Sequence, residues 1–75
     1  MIIYHIFRCI ADKEIYLDST ATARLAGFYI NGYLKSMGYD PSMTAEQIAE
    51  ARGYDLALIG SDRDILDIRE YELIV

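Results

Sequence analysis

Between residues 20 and 37 the polar side chains Arg24, Asn31 and Lys35 fall on one narrow seam, and apolar positions occupy most of the remaining surface. Leu25, Phe28, Tyr29 and Gly32 make one stripe at helical spacing, and Ala23, Ala26, Ile30, Tyr33, Leu34 and Met37 make a second. A helix with so little polar surface is expected to be covered on more than one side. Ala23 and Gly27, four positions apart, would let another backbone approach closely. Asp18-Ser19-Thr20 supplies capping side chains, so the helix should start near residue 20, run to about Met37 and stop at Gly38. A chain containing this helix has to provide a layer for it to lie on.

The flanking segments read as that layer. Residues 2 to 11 and 14 to 18 are rich in Ile, Tyr, Phe and Cys and are broken at Asp12-Lys13, the pattern of a β-hairpin in which Ile10 opposes Ile15 and Arg8 opposes Leu17. Ile6, Ile10, Ile15 and Leu17 mark the better core face. Phe7, Cys9 and Tyr16 make the opposite face unusually apolar for water, which a second covering layer or a partner would explain. After Gly38, Asp40-Pro41-Ser42 breaks the backbone, and Thr44-Ala45-Glu46-Gln47 matches a capping box with Met43 and Ile48 placed as a hydrophobic staple. The second helix should span about 45 to 52.

Met37-Gly38-Tyr39-Asp40 and Arg52-Gly53-Tyr54-Asp55 echo one another, and each Gly suits a left-handed position just past a helix. Leu56-Ala57-Leu58-Ile59 reads as a strand buried on both faces, in the middle of the sheet. Gly60 to Asp64 is a turn, and Ile65 to Val75 a last strand whose apolar phase changes near Arg69-Glu70, suggesting a bulge. A helix over 62 to 74 is the competing reading. The expected fold class is α+β: one compact domain over 1–75, in ββααββ order, with an antiparallel sheet of about four strands carrying one long and one short helix.

Bulk numbers remove several classes of function. The chain has 75 residues, 12 acidic against 7 basic side chains, and a formal charge of -5. An acidic balance argues against direct nucleic-acid binding, because that relies on Lys and Arg displacing counterions. A single Cys permits no internal disulfide and fits a reducing compartment, so a cytoplasmic location is expected. The N-terminus lacks a basic region and a cleavage site, and no stretch is long and apolar enough for a membrane span, so no membrane partner is expected.

Motifs for chemistry are sparse. His5 and Cys9 would stand about 13 Å apart along one strand face, beyond the reach of a nucleophile and its base. Asp62, Asp64 and Asp67 could attract a hard cation, but Asp67 and Leu73 stand where a calcium loop needs Gly and Glu, and Arg63 and Arg69 interleave with the acids. The glycines form neither phosphate-cradling motif, so no cofactor is indicated, and neither a catalytic nor a metal site is assigned.

Seven tyrosines and no Trp stand out in so short a chain. Tyr joins an apolar body to a polar tip and is enriched at interfaces. The acids concentrate in the C-terminal third, where an acidic strip could engage a basic groove, although charge on an edge strand also prevents unwanted pairing. The reading by elimination is a small, acidic, non-catalytic binding module, an inhibitor or adaptor on a larger protein. Tyr29, Tyr33, Asp62, Asp64, Asp67, Glu70 and Glu72 are the contact residues. In size and charge alone the chain is similar to the small phage and mobile-element products that inhibit host machinery, anti-CRISPR proteins among them. One alternative is a homo-oligomeric ligand-binding or regulatory domain whose two-sided helix makes a homodimer. A metal-dependent enzyme using Asp62 and Asp64 is the second.

Overall fold

The computed structural model describes residues 1–56 and 63–74. Six elements follow in the order β1 (Ile2–Ile10), β2 (Lys13–Thr20), α1 (Ala23–Ser36), α2 (Ala45–Ala51), β3 (Gly53–Asp55) and β4 (Asp64–Glu72). The strands form one antiparallel sheet in the order β2-β1-β4-β3. The expected α+β fold in ββααββ order is therefore the observed one. After β2 at one edge the chain crosses a single face of the sheet through both helices and returns at the far edge as β3.

The hairpin turns one residue earlier than its sequence suggests. Ala11 adopts the left-handed conformation (φ 53°), and its N–H donates to the Arg63 carbonyl at 3.0 Å, which ties the turn to the start of β4. Ile10 then opposes Lys13 and Arg8 opposes Ile15. Alternation is preserved from Lys13 to Tyr16, so these side chains keep their expected faces, whereas past Leu17 the faces exchange, with Asp18 opposite Ile6 and Ser19 opposite His5. The ladder skips Leu17 between the pairs Ile6–Asp18 and Phe7–Tyr16, a bulge that lets Leu17 pack at the core margin.

The helices are capped locally. Thr22 Oγ1 accepts from Leu25 N at 3.1 Å and opens α1 three residues later than expected, because β2 continues to Thr20. At the other end Tyr39 N donates to Leu34 O and Gly38 N to Lys35 O, a Schellman closure with Gly38 left-handed at φ 79°. Thr44 and Gln47 make the expected reciprocal capping box on α2. The echo at Arg52-Gly53 behaves differently: the left-handed residue is Arg52 (φ 60°), while Gly53 opens β3 at φ 151°. A Cβ on Gly53 would strike the Leu66 carbonyl, so close strand pairing fixes glycine there.

Ile6, Ile30, Leu34, Ile48 and Leu66 are fully buried between the sheet and the helices, with Tyr54 and Ile68 nearly so. Each such aliphatic side chain contributes about 1.5–3 kcal/mol relative to exposure. α1 and α2 meet where Gly27 lies under Ala45 and Ala49; a Cβ on Gly27 would come within 2.8 Å of Ala49 Cβ and strike the Ala45 carbonyl. Close helix approach is thus realised at Gly27.

Two strand expectations are corrected. The third strand is Gly53–Asp55, and it sits at the sheet edge rather than in the middle, paired with β4 alone. Leu56 follows it and donates its N–H to the Asp64 carbonyl, whereas Ala57, Leu58 and Ile59 lie outside the described residues. β4 pairs with β1 in unbroken register from Ile10–Asp64 to Ile2–Glu72, so there is no bulge at Arg69-Glu70 and no helix over this segment. The apparent phase change arises because Ile65 and Tyr71 populate the other face of the same regular strand. β1 and β4 are the central strands.

Candidate functional surfaces

Helices cover the sheet face that carries Ile6, Leu66 and Ile68. On the opposite, outer face no described element lies over the side chains of β1, β2 and β4. There His5, Phe7, Tyr16 and Tyr71 form one ring cluster: His5 lies 5.1 Å from Tyr71, 5.6 Å from Tyr16 and 6.2 Å from Phe7, centroid to centroid. Phe7 also meets Tyr16 edge to face at 5.8 Å. Such edge contacts favour the electropositive rim of one ring against the face of another. Tyr16 is 54% and Tyr71 52% exposed.

Next to the rings is a charge network. The Arg69 guanidinium lies 4.5 Å from the Phe7 centroid, its Nε donates to Asp67 at 2.8 Å, and its Nη2 pairs with Glu14. These two carboxylates raise the Arg69 pKa above its usual range. Cys9 lies beside them, its Sγ 3.6 Å from Arg69 Nη2 and 3.9 Å from Glu14. Burial pushes the thiol pKa up, with Arg69 opposing the shift.

Ser19 belongs to this face although, in sequence, it reads as a helix-start residue. As part of β2 it stands opposite His5, with its Oγ 2.6 Å from both His5 Nδ1 and Tyr16 Oη. The hydroxyl can donate to one of these groups while accepting from the other. Among the described residues no carboxylate hydrogen-bonds the imidazole, so the third group that orients the base in a nucleophilic triad is not supplied. The two contacts tie the His5 and Tyr16 rings to one hydroxyl.

A second open surface is the flank of α1. Leu25 and Phe28 are 53% and 47% exposed, and Tyr29 stacks on Tyr33 with ring planes 19° apart. Phe28, Tyr29, Gly32, Tyr33 and Ser36 line a groove of about 430 Å³. Gly32 leaves its floor open, since a Cβ there would meet nothing within 4 Å. Phe28 also borders a neighbouring groove of about 400 Å³, shared with Asn31, Lys35 and the Asp40–Glu46 segment. Burial, and secondarily the charge of Asp18, raises the Tyr29 pKa.

Of the expected contact residues, Tyr29 and Tyr33 do share this surface, while the acids do not share one. Strand alternation sends Asp64, Glu70 and Glu72 to the helix side and Asp67 to the outer face. Asp64 is 1% exposed, with its two oxygens held by Arg8 Nε and Nη2. Arg8 Nη1 also donates to Tyr33 Oη at 3.0 Å, and the bond to Asp64 raises the Arg8 pKa. Glu70 pairs with Arg52 at 3.4 Å, and Glu72 is exposed. Asp62 lies outside the described residues.

Asp64 and Asp67, on opposite sides of one strand, cannot share a cation. Among the described residues no three His, Cys, Asp or Glu side chains gather as a metal would require. No described helix is long and apolar enough to cross a membrane. Comparison with protein-family models, with curated proteins and with solved structures finds no match to this chain.

Proposed function

We propose that the chain is a non-catalytic protein-binding module, an inhibitor or adaptor that docks on a larger protein through the flank of α1. The observation that carries this reading is the exposed Phe28 ridge between two grooves, one of them floored by Gly32 and walled by the Tyr29–Tyr33 stack. Aromatic rings beside an open notch suit the anchoring contacts that dominate protein interfaces. Asp18, near Tyr29, and Asp40, in the neighbouring groove, take part in no ion pair among the described residues, which favours a partner surface bearing Lys or Arg. A nucleic-acid partner fits poorly, because each of Arg8, Arg24, Arg52, Arg63 and Arg69 is engaged with an acid of the chain itself.

The test is a tagged pull-down from nuclease-treated lysate of the producing cell, comparing the natural chain with a Leu25→Ser, Phe28→Ser variant and with Tyr71→Lys. One dominant protein in stoichiometric amount should accompany the natural chain and Tyr71→Lys and be lost with the flank variant. Equal recovery by all three, or recovery of the bait alone, rejects the flank as the docking surface.

A further inference from the structure

We infer that the outer face of the sheet is where two copies of this chain meet, stacked sheet on sheet with the helices outermost. This contact is separate from the flank of α1 and does not depend on the function proposed for it.

Charge selects the occupant. At -5, two copies repel one another unless they approach through a surface where the acids are already neutralised. The acids in no ion pair among the described residues are Asp12, Asp18, Asp40, Glu50 and Glu72. Asp12 is in the hairpin turn, Asp40 in the α1–α2 connection and Glu50 in α2, while Asp18 and Glu72 stand in register with Ile6 and Ile2 on the helix side. On the outer face three carboxylates meet two cations: Glu14 and Asp67 share Arg69, and Asp55 holds Arg63 at 3.4 Å, so one surplus negative charge remains there. The outer face is therefore aromatic and nearly charge-quenched, which suits an isologous contact between identical molecules. A strongly basic partner would find little uncompensated charge on it.

The β2 edge is a poorer route to self-association. Lys13, Glu14 and Asp18 lie along it and the bulge at Leu17 breaks its regularity, both of which discourage strand addition. The size of the face sets the expected strength. Strands of nine, eight, three and nine residues, at about 3.3 Å per residue and about 4.8 Å between strands, present roughly 460 Å² per copy. Burying on the order of 1,000 Å² in total lies at the lower bound for specific association, the size class of weak and transient contacts.

Sedimentation equilibrium of the full chain from about 1 to 500 µM, a range suited to a weak contact of this size, tests the inference. The natural chain should pass from 8.6 kDa to twice that mass. Salt should leave the dimer intact or strengthen it, because it screens the surplus acids. Tyr71→Lys and Tyr16→Lys, both at exposed positions, should stay monomeric with unchanged circular dichroism, and Phe28→Lys should dimerise normally. A monomer at every concentration overturns the inference. So does a dimer lost in Phe28→Lys and kept in Tyr71→Lys.

Discussion

The two faces of the sheet are made by the same strands, β1, β2 and β4, and alternate residues along each strand serve one or the other. On the helix side Ile6 and Leu66 are fully buried, and the charged pair there, Arg8 with Asp64, is bidentate and almost enclosed. On the outer side Tyr16 and Tyr71 stay half exposed, and the charged network around Arg69 is open to water. Residues of similar chemistry therefore carry different weight. A side chain between layers sets the stability of the monomer, whereas a ring on the outer face has energy left to give to a second molecule.

Removing half of the buried pair should break this contrast most severely. Arg8→Met leaves the Asp64 carboxylate buried without its cation, and urea unfolding should show a loss of about 3–5 kcal/mol. The double change Arg8→Met, Asp64→Leu should recover much of it, since an apolar pair of similar volume needs no compensating charge. Failure of the double variant to recover would mean that the pair specifies the fold as well as stabilising it.

A matched substitution on each face of β4 sharpens the comparison. Leu66→Ala opens a cavity under the helices and should cost about 2–5 kcal/mol at any protein concentration. Tyr71→Ala should cost less than about 1 kcal/mol in dilute solution, as exposed positions generally do. Its effect should grow with concentration as the dimer forms. An equal and concentration-independent cost for both would erase the distinction between the faces.

The smallest effect concerns Cys9. Because burial holds its pKa above the ordinary thiol value, less thiolate is present at neutral pH, and alkylation by iodoacetamide should be slower than for an exposed cysteine. The rate should rise as pH climbs through the raised pKa. Arg69→Ala should slow the reaction further at neutral pH, since Arg69 opposes the shift. Acceleration in that variant would show that shielding by Arg69, rather than thiolate population, controls access.

Much of this fold can be read in the local sequence. The Thr44 capping box, the glycine stop at Gly38, the close approach at Gly27 and the two-faced apolar character of β1 each depend on a few neighbouring residues. The position of the third strand could not be read in this way. The apolar run from Leu56 resembles an interior strand, yet Gly53–Asp55 is the segment that reaches β4, because α2 ends at Arg52 and delivers the chain to that edge. The acid cluster also dissolved on folding. Residues close in sequence from Asp64 to Glu72 became separated by alternation, and Asp64 found Arg8 across the sheet, a pairing that no spacing of residues announces.

The sequence by itself determined the α+β class, the order of elements, the capping box of α2 and the two faces of β1, since caps and alternation are local properties of the backbone. Tertiary structure decided which strands became central, that Ser19 would meet His5, that Asp64 would be buried against Arg8, and which apolar surfaces were left uncovered. Those outcomes depend on pairings between residues far apart in the chain. In so small a domain two helices cover one side of the sheet, and the described chain provides no layer for the other.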